Sequence, residues 1–130
     1  MKEPARDAGS ISVFVIGLVM SFMVSAGLAL DGGRLVSARV AVADHAENAA
    51  RIGAQQVGAM RSGARILQSG PARIAVLQYL RLQGLTGEVV VRDRTVTVTT
   101  RITQPTTFLQ LVGVNERTVS ATRTAEITSS

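Results

Sequence analysis

The stretch that decides the fold is ISVFVIGLVMSFMVSAGLAL, residues 11–30, which contains no charged residue. At a rise of 1.5 Å per residue, about 20 helical residues span roughly 30 Å, the thickness of the hydrocarbon core of a bilayer. Ser12, Ser21 and Ser25 are compatible with lipid, because a hydroxyl in a helix can donate to the carbonyl one turn back. The sequence therefore predicts a transmembrane helix over residues 11–30, with the lipid bilayer as its first partner.

A cleaved secretory signal is the competing interpretation of this stretch. Gly27 and Ala29 would supply a small-residue cleavage site before Leu30. The apolar region of a signal peptide is usually about 7–15 residues long, which is shorter than this run. The positive charge before the run is also offset by two acidic residues. Length therefore favours a retained anchor over a cleaved signal.

Orientation has to be inferred from the size of the two flanking regions. Lys2 and Arg6 precede the apolar run and Arg34 and Arg39 follow it, so the number of cations on each side does not decide the orientation. The N-terminal side is a short tail, whereas the C-terminal side is a whole domain with threonine-rich strands. We expect a single pass through the cytoplasmic membrane, with the N-terminus inside and the C-terminal domain outside.

Residues 31–68 are rich in alanine and arginine and contain no proline, which predicts a long helix. Asp31-Gly32-Gly33 marks the end of the apolar run, where a kink and a continuous helix are both open. A row of small residues at i,i+4 spacing runs through the apolar segment and predicts close packing against other helices. It spirals by about 40° per step, so it is not one flat interface. Its five members in and next to the apolar segment are Gly17, Ser21, Ser25, Ala29 and Gly33, and it continues through Ser37, Ala41, His45, Ala49 and Gly53. A second row consists of Ala46, Ala50, Ala54 and Gly58.

The remainder of the chain predicts one short helix and a small sheet. Pro71 or Ala72 begins the helix, Gly84 ends it, and its apolar stripe comprises Ile74, Leu77, Leu80 and Leu82. Alternating residues then predict strands over 88–92, 95–103 and 117–127, with a turn at Asp93-Arg94. Residues 106–112 form a helical turn whose Phe108, Leu109 and Leu111 are expected to pack inward.

The predicted fold class is therefore α+β and pilin-like: a transmembrane helix continuing into a long helix, a second short helix and a three-stranded antiparallel sheet. The corresponding organisation is a cytoplasmic tail over 1–10, the transmembrane helix over 11–30, the long helix over 31–68 and an extracytoplasmic α+β domain over 71–130. Val96, Val98 and Ile102 are expected to face the core.

Composition argues against catalysis and against nucleic-acid binding. The net charge is +5, but the arginines are spread from Arg6 to Arg123 and aromatic residues make up only 3% of the chain. A nucleic-acid interface clusters its cations on one face. Cysteine is absent, His45 is the single histidine, and the nine carboxylates are scattered. We predict no enzyme activity, metal, cofactor or small-molecule substrate. Asp31, at the exit of the apolar run, is interpreted as an interfacial charge or as a partner for a cation on a neighbouring chain.

The order of these segments resembles a known family. RDAGS at residues 6–10, the single apolar helix, LDGGRLVSAR at 30–39 and the alanine-rich stretch 41–50 resemble TadE/TadG-like proteins of the Tad pilus-assembly apparatus, also called tight adherence, Flp-type or type IVc. Residues 79–80, 84–87 and 118–122 look like those of small actinobacterial members. The resemblance implies a pseudopilin-like or minor-pilin-like component of the cell envelope. Its implied partners are other pilus or pilus-assembly subunits, in a homo- or hetero-oligomer formed by helix packing.

The same resemblance implies a possible processing site. Processed members of the family carry a glycine followed by an apolar helix with glutamate at its fifth position. In this chain Gly9 precedes Ser10, and the fifth position is Phe14. Cleavage between Gly9 and Ser10 is one expectation; the missing carboxylate favours an unprocessed, TadG-like membrane component. The alternative function is a bitopic envelope protein that binds a partner outside the membrane and never enters a filament.

Overall fold

The computed structural model describes residues 8–61, 69–92 and 94–127. Its elements are the α-helices α1 (Ala8–Arg61) and α2 (Ser69–Leu82), the strands β1 (Thr86–Arg92), β2 (Thr95–Pro105) and β3 (Glu116–Glu126), and a short 3-10 helix, η1 (Leu109–Val112), between β2 and β3. The predicted α+β class, with a long apolar helix, a short helix and a three-stranded antiparallel sheet, is confirmed. Residues 1–7 of the predicted tail, residues 62–68 at the end of the predicted long helix, and Asp93 of the predicted turn lie outside the described residues.

Helix α1 is continuous over 54 residues, a length of about 81 Å. It passes through Gly32 and Gly33 without a break, so the continuous alternative is the correct one. Each glycine costs a helix about 1 kcal/mol relative to alanine, and the strongly helical sequence on both sides outweighs that cost. Residues 9–26 are exposed throughout, over about 27 Å. The helix therefore has a free apolar half and a half that packs against the rest of the chain.

The packed half of α1 uses small residues because the sheet and α2 approach it closely. Ala46, Ala49 and Ala50 are all buried. At Gly53 a Cβ atom would lie 2.8 Å from Cγ1 of Val96 and 3.0 Å from Cγ2 of Val76. Most of the second predicted row of small residues, Ala46, Ala50 and Ala54, is therefore buried in the core of this chain and does not face another one.

Helix α2 covers the core with a stripe that matches the predicted one only in part, since Leu80 is buried and Leu77 packs against the core. Ala72, Val76 and Leu80 are buried, whereas Ile74 is 66% and Leu82 78% exposed, so these two predicted core positions are wrong. The side chain of Ala72 has little apolar surface, so the hydrophobic period does not identify it as a core position. The buried face of α2 therefore runs through Ala72, Val76 and Leu80, and Ile74 and Leu82 lie outside it.

The end of α2 agrees with the sequence. Gly84 has a positive φ of 69°, its N–H donates to the carbonyl of Arg81, and the N–H of Leu85 donates to the carbonyl of Leu80. This is the left-handed glycine cap that terminates many helices. Leu80 and Leu85 are both buried, so the cap also turns the chain back onto the core.

The sheet has the order β1-β2-β3 with antiparallel pairing throughout. Val96, Val98 and Thr100 on β2 are fully buried, and the Thr100 hydroxyl donates to the carbonyl of Val42 in α1 at 3.0 Å. Ile102, also predicted to face the core, is partly buried against it. The opposite face of the sheet carries cross-strand threonine pairs in which two hydroxyls share a hydrogen bond.

The segment between β2 and β3 departs from the prediction. Leu111 is 80% exposed and Val112 76% exposed, and η1 contains no buried residue. The expectation that Leu111 packs inward is wrong. The physical reason is position: η1 lies beyond the end of the sheet, beside α1, where there is no core for its side chains to enter.

Candidate membrane-proximal site

Asp31 is the centre of polar contacts where α1 leaves the apolar run. Its side chain is only 3% exposed. Oδ1 accepts the N–H of Thr107 at 3.1 Å, and Oδ2 accepts the N–H groups of Phe108 and Leu109, each at 2.8 Å. The first N–H groups of a helix have no partner within the helix. Asp31 therefore acts as an N-terminal cap for η1, supplied by a different element of the chain.

These contacts also stabilise the charged form of the carboxylate. Asp31 follows the predicted membrane span, and its pKa lies below the ordinary value, chiefly because of the hydrogen bond from the Leu109 N–H. The hydrogen bonds from Thr107 and Phe108 and the charge of Arg34 lower the pKa further, while burial opposes them. Arg34 also donates to the Thr107 hydroxyl at 2.8 Å. The site is thus built to hold an ionised Asp31 against the loop.

Gly27, one turn before Asp31, receives the ring of Phe108. A Cβ atom at Gly27 would lie 2.5 Å from both Cγ and Cδ1 of Phe108, so only glycine leaves room for the ring. Gly27 is the one buried residue of the predicted span 11–30. Gly27, through packing, and Asp31, through hydrogen bonds, therefore hold residues 107–109 against α1.

Sequence reasoning placed a charge at this exit but could not identify its partners. The three donors are 76 to 78 residues further along the chain, and they are backbone groups, which leave no signature in side-chain composition. A polar residue that follows an apolar helix, together with a loop free of charge, is the only signal the sequence contains. The proposed interfacial role of Asp31 stays a prediction beside these intramolecular contacts.

The predicted helix-packing row lies on the side of α1 away from this site. Ala29 is about 200° round the helix from Gly27, and Gly33 is the same angle from Asp31. All five members, Gly17, Ser21, Ser25, Ala29 and Gly33, are exposed. The Ser21 and Ser25 hydroxyls donate to the carbonyls of Gly17 and Ser21, each at 2.8 Å, so both polar groups are satisfied within the helix as expected. These five residues are therefore free of the chain's own domain, whereas Ala49 and Gly53, further along the same row, are buried in it.

Gly9 and Ser10, the predicted processing residues, lie in the first turns of α1 and are exposed. Nothing in the described chain comes within 4 Å of a Cβ atom placed at Gly9. They are about 30 Å along the helix from Asp31, at the opposite end of the apolar run. The predicted processing residues and the contacts of Asp31 thus lie at opposite ends of the apolar run.

His45 has a partner that the sequence did not reveal. Its Nδ1 lies 3.1 Å from the Tyr79 hydroxyl oxygen, across the contact between α1 and α2. The two residues are 34 positions apart, so no local spacing pointed to the pair. Within the residues that the structure describes, no group of three or more histidine, cysteine, aspartate or glutamate side chains is placed to hold a metal ion.

The N-terminal part of the chain matches a known family. Residues 9–56 match the family model described as "Putative Flp pilus-assembly TadE/G-like". Over this segment, which is less than half of the chain, the sequence is similar to that family. The predicted resemblance to the TadE/TadG-like family of the Tad pilus is thereby confirmed. No curated protein and no solved structure matches the chain.

The TadE/G-like segment coincides with most of α1. It contains the apolar run, the helix-packing row, Gly27 and Asp31, and it ends before α2 and the sheet. Within the described residues, α1 is the helix that is long and apolar enough to cross a membrane. Family and helix together indicate a pilus-related role and association with a membrane.

Proposed function

We propose that this protein is a non-catalytic, membrane-anchored component of a Tad pilus, with a pseudopilin-like or minor-pilin-like role. The observation that carries the proposal is the division of α1. One continuous helix has an exposed apolar half of about bilayer length and a second half buried in an α+β domain. Such a helix anchors the domain in the cytoplasmic membrane, with the domain on the outer side.

The mechanism follows from the continuity of α1. Because no break separates the apolar half from the packed half, a displacement of the anchor along the membrane normal moves the domain with it. The contacts of Gly27 and Asp31 with the segment after β2 strengthen this coupling. A subunit that is pulled from the membrane into a filament requires a rigid connection between anchor and domain. A subunit that pushes on a growing filament requires the same connection.

Two surfaces of the described chain suit neighbouring subunits. The row of Gly17, Ser21, Ser25, Ala29 and Gly33 leaves space for another helix to approach closely in lipid, where small residues are preferred at helix contacts. Strand β3 pairs with β2 on one side only, and an edge strand can add a strand from a partner. The first surface acts in the membrane and the second outside it.

The direct test is mass spectrometry of filaments sheared from the cells that produce the protein, compared with washed membranes of the same cells. A minor-pilin-like role predicts the chain in both fractions, with Ser10 as the N-terminus of the filament-bound form if it is processed. A pseudopilin-like assembly role predicts the chain in membranes, cross-linked there to pilus subunits. An unrelated integral protein of the cytoplasmic membrane serves as the contamination control.

One observation favours a second candidate, a bitopic envelope protein that never enters a filament. Phe14 occupies the position at which processed family members carry glutamate. Intact Met1 in membranes, no chain in sheared filaments and no cross-link to any pilus subunit would support this candidate and contradict the first. A mature N-terminus at Leu30 would contradict both, because the anchor would have been removed.

A further inference from the structure

We propose that residues 105–115, here called the capped loop, form a second lipid contact. In this proposal the capped loop rests at the outer boundary of the bilayer beside α1 and inserts Leu111 and Val112 among the lipids. The inference depends on the membrane anchor of the proposed function, and it adds that the domain is held against the membrane surface at a fixed height and orientation.

The depth of the capped loop is set by its contact with α1. The Phe108 ring packs on Gly27, and Gly27 is three residues, or about 4.5 Å, inside the end of the apolar run at Leu30. If residues 11–30 span the bilayer, the Phe108 ring therefore lies at the depth where α1 leaves the hydrocarbon core. The bonds from Asp31 to the start of η1 hold the loop at this level.

The composition of the capped loop suits lipid better than water. Its sequence, PTTFLQLVGVN, contains no charged residue, in a chain of which 18% is charged. At its tip Leu111 and Val112 are 80% and 76% exposed within the described chain. They add exposed apolar surface on a second element, and the transfer of such side chains from water to hydrocarbon is favourable.

Seven backbone N–H groups of the capped loop already have partners, which lowers the cost of entering a region with little water. The N–H groups of Thr106, Leu111, Gly113 and Val114 donate to carbonyls within the loop. Three further N–H groups donate to Asp31. The Thr106 hydroxyl donates to the carbonyl of Val114, so that polar side chain is also paired.

Cations lie beyond the capped loop, further along α1 and at the start of β3. Arg34 lies one turn beyond Asp31 and donates to Thr107. Arg39 and Arg117 line a groove of about 360 Å³ between α1 and the start of β3. An apolar tip followed by positive charge is the arrangement of segments that lie in a membrane interface, where anionic head groups attract arginine.

Site-directed fluorescence quenching tests this proposal on the full-length chain. The protein has no cysteine, so single cysteines introduce one label each. We would label Leu111→Cys, Val19→Cys in the anchor, and Ile74→Cys on α2 with an environment-sensitive dye, in vesicles of phosphatidylcholine and phosphatidylglycerol. Ile74 is the matched control, because it is an equally apolar, 66% exposed position outside the capped loop. Each sample is titrated with a lipid-borne and a water-soluble quencher.

The expected result is a blue-shifted label at Leu111 that loses fluorescence to the lipid-borne quencher, as Val19 does, while the label at Ile74 responds only to the water-soluble quencher. A second position, Val112→Cys, should repeat the result for Leu111. A lipid-quenched Val19 with a water-accessible Leu111 overturns this inference and leaves the proposed anchor intact. A Leu111 label shielded from both quenchers also overturns it, in favour of a protein partner. A water-accessible Val19 overturns the anchor and this inference together.

Discussion

At the scale of the residue, the ionised carboxylate of Asp31 holds three backbone N–H groups that would otherwise lack partners. Asp31→Asn keeps the size of the side chain but removes the charge and replaces one acceptor oxygen by a donor. We expect the amides of Thr107, Phe108 and Leu109 to exchange with solvent on the order of tenfold faster or more, since bonds to charged groups are the stronger class. Hydrogen exchange followed by mass spectrometry measures this change.

The control for that substitution is Asp44→Asn, which neutralises an exposed carboxylate on the same helix. It should leave the exchange of the capped loop unaltered. Unchanged protection of the three amides in Asp31→Asn would show that the loop is held by its own bonds and by Phe108 alone.

Asp31 also predicts a dependence of stability on pH. Its pKa is lowered from the ordinary value of 3.8, chiefly by the Leu109 N–H, so the folded state binds this proton less readily than the unfolded state. The stabilisation is therefore complete above pH 3.8 and is lost as the pH falls through the lower folded value. We expect the difference in thermal unfolding temperature between the natural chain and Asp31→Asn to be constant near neutral pH and to shrink in acid. A difference that grows on acidification would contradict this assignment.

At the scale of the element, Gly53 marks the closest approach of α1 to the sheet and to α2. Gly53→Ala gains up to about 1 kcal/mol of helix propensity but places a methyl group against stiff valine side chains, and overpacking of this kind costs about 1–3 kcal/mol. The substitution should therefore lower the free energy of unfolding. Gly32→Ala is the matched control, because nothing lies within 4 Å of its Cβ position and only the propensity gain applies.

Denaturant unfolding of both variants in detergent micelles separates the two effects. The free energy of unfolding should rise for Gly32→Ala and fall for Gly53→Ala, relative to the unaltered chain. Stabilisation by both substitutions would mean that α1 lies further from Val96 and Val76 than the structure places it.

Most elements could be predicted from the sequence because their periods are clear. The uncharged run defined the anchor, alternating valine and threonine defined β2, and Gly84 defined the end of α2. The burial of Ala72 could not be predicted, because it depends on which elements pack around α2 and not on the hydrophobicity of this side chain.

At the scale of the whole molecule, the sequence could predict an apolar helix long enough to cross a membrane, but not how the domain packs against the end of the apolar run. That contact joins Gly27 and Asp31 to residues near position 108, and its donors are backbone amides. Periodicity describes which face of an element is apolar; it does not describe which distant loop lies against that face. The predicted row of small residues was easier to find, because all its members lie within one helix.

The last prediction concerns that row, which faces away from the domain and is therefore available to a second helix. Ser21→Leu fills the groove beside Gly17 and Ser25 and should prevent close approach of a neighbouring transmembrane helix. Ser12→Leu is the matched control, since it is the same exchange in the same apolar run about 180° round the helix. Both variants should remain in the membrane, because leucine is more apolar than serine. We expect in-cell cross-linking to pilus subunits to be lost for Ser21→Leu and retained for Ser12→Leu. Equal cross-linking by the two variants would exclude the row as a contact and leave the outer domain, with its β3 edge, to make the connection.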